Sequence, residues 1–274
     1  METQADIADT ELDDATDLDD KPVSMIEAIS ASNLVPLLSP GDVSKIGADA
    51  VAEYELDKAS CKEFHALYDR AMETAMQVRK AKTFPWENAS NVIFPLLTTA
   101  AVQFNARAMP AIIDGQSVVK GRVLGPDPDG KKRDRADRIA AHMTWQFLKD
   151  VPGWVEDTDK LLLQLPIVGC VFRKTWRDTQ RNQNNSETVT AKDFVVNYKT
   201  TSLDKAPRFT HVQRYYPHEI EAFVRSEEWA KVTYQGEDGQ DPHSLVIMLE
   251  QHRLIDMDDD GLPEPYVVTL TTDG

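Results

Sequence analysis

At Val168 the hydrophobic pattern of this chain changes period, and that change constrains its fold class. Up to that point apolar residues recur every three to four positions, as a helix buried on one face requires. From Val168 they alternate. Cys170, Phe172 and Trp176 share one side and Arg173, Thr175 and Arg177 the other, the two-residue period of a strand. Strand-like runs follow at Phe194 to Tyr198, Phe209 to Tyr215, Leu245 to Ile255 and Tyr266 to Leu270, with a helix from Glu219 to Trp229 among them. The last two runs are expected to pair across the acidic turn that separates them. A helical N-terminal half followed by mixed helices and antiparallel strands is an α+β arrangement.

Within the first half, Val23 to Ser32 and Val43 to Ala52 read as short helices, separated by Pro36 and Ser39-Pro-Gly41. Leu56 to Lys82 reads as a longer one, with Ala59, Phe64, Leu67, Tyr68, Ala71, Ala75 and Val78 on its buried face. The polar loop Trp86-Glu-Asn-Ala-Ser-Asn91 then feeds a helix that is apolar along Val92, Ile93, Leu96, Leu97, Ala100, Ala101, Phe104 and Ala108. Pro95 confines the start of that helix to its own neighbourhood, and Pro110 is expected to close it. A short strand, Val118 to Leu124, lies between two turns. A helix from Lys131 to about Lys149 carries Ala136, Ile139, Met143 and Phe147 on its apolar side, and Asp134 and Arg138 are spaced to pair. Another runs from Trp154 to Leu165, where Pro166 is expected to stop it. Arg181 to Glu187 reads as a polar loop.

Charge is unevenly placed. The net charge is −16, of which residues 1–20 contribute −9, with nine acids and no Lys or Arg, so residues 21–274 carry only −7. Residues 1–21 are expected to be a disordered acidic head, since they hold too few large apolar residues to offset chain entropy. Residues 22–274 are expected to form the folded α+β part. A surface this acidic excludes a domain that grips DNA by neutralising phosphates, though not one that lets DNA slide past. The one positive patch is Lys131, Lys132, Arg133, Arg135 and Arg138. It is either a solvated helix start or a contact for phosphate or an acidic protein face. No apolar run approaches the ~20 residues of a membrane span. The acidic N-terminus is not a signal peptide, and Cys61 and Cys170 lack metal or redox spacing, so a reduced, cytosolic chain is expected.

Chemistry-bearing motifs are sparse. Asp256-Met-Asp258-Asp-Asp260-Gly261 is the front half of a calcium loop, but position twelve is Val267 rather than Glu, and Glu264 falls at position nine. The strand-like flanks favour a hairpin turn in which aspartates bond nearby amides. Asp256, Asp258, Asp260 and Glu264 are therefore a weak metal candidate. The six histidines show no H-E-x-x-H spacing, and neither a nucleophile elbow nor a phosphate-binding loop occurs. No catalytic residue and no cofactor are expected.

One resemblance runs through the chain in order from Phe84 to Thr269. The Trp86 loop and its helix, Leu161 to Trp176, Phe194 to Tyr198, Leu203 to His211, Tyr216-Pro-His-Glu-Ile220 and the acidic hairpin at Glu250 to Thr269 resemble the N-terminal wing of phage portal proteins, with the hairpin similar to that of short-tailed phages. The resemblance implies a structural subunit, not an enzyme, in a ring of typically twelve copies at one capsid vertex. Double-stranded DNA would pass through without sequence-specific binding. It implies as partners the terminase motor, tail-adaptor and capsid or scaffolding proteins, and other copies of itself, with no membrane. It places the protein in the virion and, before assembly, in the host cytoplasm. It also implies that stem and clip segments are missing after Gly274. Under it, Trp86, Asn88 and Asn91 would meet a neighbouring subunit, as would the Lys131, Lys132, Arg133, Arg135 and Arg138 cluster. Otherwise Trp86 packs on its own body and the asparagines cap the helix. Two other classes compete: a metal-dependent phage nuclease using the aspartates near 256–260, and a small acidic adaptor.

Overall fold

A computed structural model describes residues 33–79, 83–87, 89–90, 92–113, 117–178, 181–237, 243–257 and 261–272. The α+β expectation holds: six α-helices accompany two antiparallel sheets among the described residues. The acidic head, the expected helix at Val23 to Ser32, and Asn88, Asn91, Asp258 and Asp260 lie outside them.

The centre of the fold is a four-stranded sheet, ordered β3 (Phe194–Val195), β4 (Arg208–Tyr215), β5 (Val246–Ile255) and β6 (Glu264–Thr271). The expected final hairpin is present, with Ile255 opposite Glu264 and Met248 opposite Thr271. Alternation gives the sheet two faces. On one, Val195, Val212, Leu249 and Leu270 pack against Ala50 and Tyr54 of α1 (Pro40–Ser60). On the other, Val246 and Met248 pack against Ile220 of α6 (Pro217–Arg225), with Tyr215, Trp229, Val232 and Tyr234 around them.

The sequence placed the helix boundaries in this region differently. Val43 to Ala52 is part of one longer helix, α1, which starts where Ser39 accepts a hydrogen bond from the Asp42 amide at 3.2 Å. It runs to Ser60 and breaks at Cys61, so the expected Leu56 to Lys82 helix does not exist as a unit. The break is held by long-range bonds. The Cys61 thiol donates to the Val196 carbonyl at 3.1 Å, and the Tyr198 amide donates to the Ser60 hydroxyl at 3.0 Å. Helix α2 (Lys62–Ala75) follows, and of its expected buried face only Ala75 is fully buried, while Leu67 and Val78 are exposed.

Helix α3 (Leu96–Ile112) packs on α5 (Trp154–Val168), where Asn105 donates to Asp159 at 2.6 Å. Both helices pass through the prolines expected to end them. Proline removes one donor, but the following bonds survive: Ile113 to the Met109 carbonyl at 2.9 Å, and Gly169 to the Leu165 carbonyl at 2.8 Å. Gly169 then ends α5 at φ 80°, a left-handed conformation that favours glycine. Helix α4 (Lys131–Trp145) continues into a π turn, Gln146–Asp150. Its buried positions are Ala140 and Thr144, so the inward stripe is rotated from the expected one, and Ile139 and Met143 are exposed. Val118 to Leu124 forms no sheet ladder. It lies along α4 instead, with the Val119 amide donating to Thr144 Oγ1 at 3.2 Å.

The expected polar loop at Arg181 to Glu187 is in fact the start of a strand. β2 (Gln183–Thr190) pairs with β1 (Val171–Asp178) without slippage, from Asp178 opposite Gln183 to Val171 opposite Thr190. Two of its polar residues bond to neighbours: Arg177 donates to Asn184 at 3.0 Å, and Thr188 to the Asp157 carbonyl at 2.9 Å. The β1–β2 hairpin meets the main sheet where Phe172 packs at a tilt on Phe194, which in turn packs at a tilt on Phe209, with ring centroids 4.2 and 5.3 Å apart.

Candidate functional site

The chain entering α3 is apolar and bare. Phe84, Trp86, Val92, Phe94 and Leu96 are 83%, 67%, 86%, 80% and 68% exposed. Single exposed apolar side chains are ordinary, but several together in one short segment mark an interaction surface or an aggregation risk. On the face of α3 expected to be core, Phe104 is exposed as well, and Val102 is exposed beside it. Beside it, Ala100, Gln103, Phe104, Arg107 and Ala108 line an open groove. The cause is the size of what α3 buries: among the described residues its only fully buried side chain is Ala101. The Thr98 hydroxyl also ties the helix start to the Ala75 carbonyl.

All five cations of the basic cluster are exposed at the start of α4. Sequence reasoning missed Asp127, whose carboxylate accepts from the Lys132 and Arg133 amides at 3.2 and 2.9 Å. That acceptor offsets the unfavourable placement of cations at a helix start. Lys131 faces Asp129 at 3.7 Å, and Lys132 donates to the Pro126 carbonyl at 3.0 Å. The spacing that would pair Asp134 with Arg138 yields no ion pair among the described residues.

At the acidic turn, Asp256 accepts from the Gly261 amide at 2.9 Å, and Gly261 has φ 87°. That is hairpin chemistry, with an aspartate bonding its own turn. Glu264 sits in β6 opposite Ile255. No group of three metal-ligating side chains occurs among the described residues.

The strongest electrostatic feature is one the sequence reading missed. Under the β1–β2 hairpin, Glu250 receives Lys174 Nζ on both oxygens at 2.6 and 2.7 Å, His252 Nε2 at 3.0 Å and Gln213 Nε2 at 3.1 Å. Gln213 also meets His211 Nδ1 at 3.1 Å and accepts from the Tyr215 hydroxyl at 2.9 Å. Burial alone would raise the Glu250 pKa. The hydrogen bonds and charges of His252 and Lys174 outweigh it and hold the carboxyl down to about 2. Burial, reinforced by Lys174, lowers His211 to about 4. Burial raises the Tyr215 phenol, and the Glu250 charge adds to that rise. The available signal was a charge on an apolar strand face, Lys174 between Phe172 and Trp176, together with polar residues two apart on both β4 and β5. The members of the network bond chiefly to one another.

A second buried network ties α1 to the sheet. Asp57 accepts from Arg208 Nε at 2.8 Å and Nη2 at 3.2 Å, and from Asn197 at 3.1 Å. Gln251, fully buried, donates to the Ala50 carbonyl at 3.1 Å and to Thr210 at 3.2 Å. Such fork-shaped pairing fixes geometry as well as energy. These contacts read as architecture.

The sequence matches no protein-family model and no curated protein. No helix among the described residues is long and apolar enough to cross a membrane.

Proposed function

We propose that this chain forms the wing of a phage portal subunit, a structural part of the ring through which DNA is packaged and ejected. The observation that carries the proposal is the exposed aromatic and aliphatic segment from Phe84 to Leu96. Leaving it in water is unfavourable by about 25 cal/mol for each Å² of apolar surface. Covering it with a neighbouring copy removes that cost. In a ring the covering patch differs from the covered one, because cyclic contacts between more than two copies are heterologous. The in-order resemblance from Phe84 to Thr269 supports the same role. The proposed partners are further copies, the terminase motor, tail-adaptor and capsid or scaffolding proteins, and double-stranded DNA that passes without being gripped. The overall acidity suits that last point, since like charge disfavours adhesion.

Electron microscopy of the complete gene product tests the proposal. The expected particle is a closed ring with a central channel. A product that stays monomeric at every concentration would sink it. Metal-dependent nicking of plasmid DNA, abolished by Asp258→Ala, would favour the nuclease alternative instead.

A further inference from the structure

The segment from Phe84 to Leu96 and helix α3 each carry a single charged side chain, and the two are opposite in sign: Glu87 in the segment and Arg107 in the helix. Neither forms an ion pair among the described residues. Arg107 lines the open groove on α3 together with Ala100, Gln103, Phe104 and Ala108. These positions recur at i, i+3, i+4, i+7 and i+8, so they share one stripe of the helix, and Leu96 begins that stripe one turn earlier. The groove holds about 410 Å³, within the range of clefts that seat small ligands, which leaves room for aromatic side chains. Within one copy the aromatic tip and the groove do not meet, because Phe84 and Trp86 stay exposed while the groove stands open.

We propose that the tip formed by Phe84, Trp86 and Glu87 of one copy of this chain seats in the α3 groove of the next copy, with Glu87 against Arg107. The inference rests on the reading that neighbouring copies cover this segment, and it names the surface that covers it. Charge supports the match. An arginine covered by apolar side chains alone loses its water without compensation, whereas a tip that brings a carboxylate beside its aromatics supplies the counter-charge. The indole of Trp86 adds a face on which a guanidinium stacks favourably. Area supports it as well. The aromatic side chains of Phe84, Trp86 and Phe94, at about 150–250 Å² each and roughly three-quarters exposed, offer on the order of 350–550 Å². Val92 and Leu96 extend that surface towards the ~800 Å² that each partner of a standard interface buries. Tip and groove are different surfaces, so the contact is heterologous. Each copy gives its tip to one neighbour and receives the tip of another, which is the connectivity a ring requires.

Photo-cross-linking of the complete gene product tests it, with benzoylphenylalanine at position 86, where its two rings keep the bulk of the indole. A mixture of isotopically heavy and light protein separates links between copies from links within one, and fragmentation of the linked peptides locates the site. Links between copies into the stretch from Ala100 to Ala108 are expected. Links confined to one copy overturn the inference. Links from an assembled ring to any other surface overturn it too, while the ring itself leaves the broader reading standing. A product that never self-associates overturns both. Charge reversal gives a second readout in sedimentation velocity. Glu87→Arg and Arg107→Glu should each weaken association roughly fivefold, and both changes in one chain should restore it to within about twofold of wild type. A double variant that associates no more tightly than the single ones overturns the pairing.

Discussion

Replacing Glu250 by Gln keeps the shape of the side chain and removes its charge, so it isolates what the charge contributes beneath the hairpin. The ionised carboxylate is held by Lys174, His252 and Gln213, and its pKa falls from 4.5 to about 2. One pKa unit corresponds to about 1.4 kcal/mol, so the fold favours the charged form by roughly 3 kcal/mol. The sign follows from proton uptake. Between pH 4.5 and 2 the unfolded chain binds the proton that the folded chain refuses, so acid removes this stabilisation and neutral pH restores it. Wild type should therefore exceed Glu250→Gln by roughly 3 kcal/mol at pH 7, and by about half of that at pH 3. His211 also destabilises the fold as pH drops from 6.5 towards 4, because its buried ring resists protonation. Both proteins carry that group, so most of its effect cancels in the difference. Urea unfolding followed by far-ultraviolet circular dichroism at several pH values measures the gap. A gap that stays constant from pH 7 to pH 3 would show that lost packing, not lost charge, accounts for the mutant.

Asp57→Asn should cost about 3 kcal/mol or more, since it leaves the largely buried Arg208 without its nearest counter-charge; a thermal-melt difference within error would contradict this. Gly121→Ala should destabilise by about 1–3 kcal/mol, because the new methyl meets backbone atoms of Ala136 that cannot swing aside. Unchanged stability there would mean that the 118–124 segment lifts readily from α4. Trp86→Ser with Phe94→Ser should leave monomer stability within about 0.5 kcal/mol, given their exposure. The same pair should weaken self-association in sedimentation velocity, and full retention of assembly would take this segment out of the interface.

The α+β class and the β5–β6 hairpin were legible because period-two alternation survives in sequence wherever one strand face is apolar. β2 was not legible, because Gln183, Asn184 and Asn185 find their partners across the hairpin and on the distant π turn after α4, and a single strand does not display its neighbours. The α1–α2 break failed for a related reason. No helix breaker stands at Cys61, and the bend is imposed by Val196 and Tyr198, residues more than 130 positions away. The α3 stripe was correctly periodic, but periodicity says that a face is apolar and not that this chain supplies its cover. The exposed Trp86 was visible in sequence as a candidate contact. The Lys174–Glu250–His252 cluster was not, since Lys174 comes from β1 and meets the β5 pair only after the hairpin folds over the sheet.

The bond from Gln251 to the Ala50 carbonyl spans 201 positions, and that from Arg253 to Glu53 spans 200. Helix α1 therefore emerges from the ribosome long before the strands that receive it. At about 5–20 residues per second, the interval is roughly 10–40 s. For most of that time, until Arg208 follows 151 positions after Asp57, the carboxylate has no arginine to meet, and Ala50 and Tyr54 lack β5 throughout. Biogenesis of this protein thus includes an obligatory waiting period for its first long helix, during which a chaperone, or α1 of another nascent chain, competes with β5 for the same stripe.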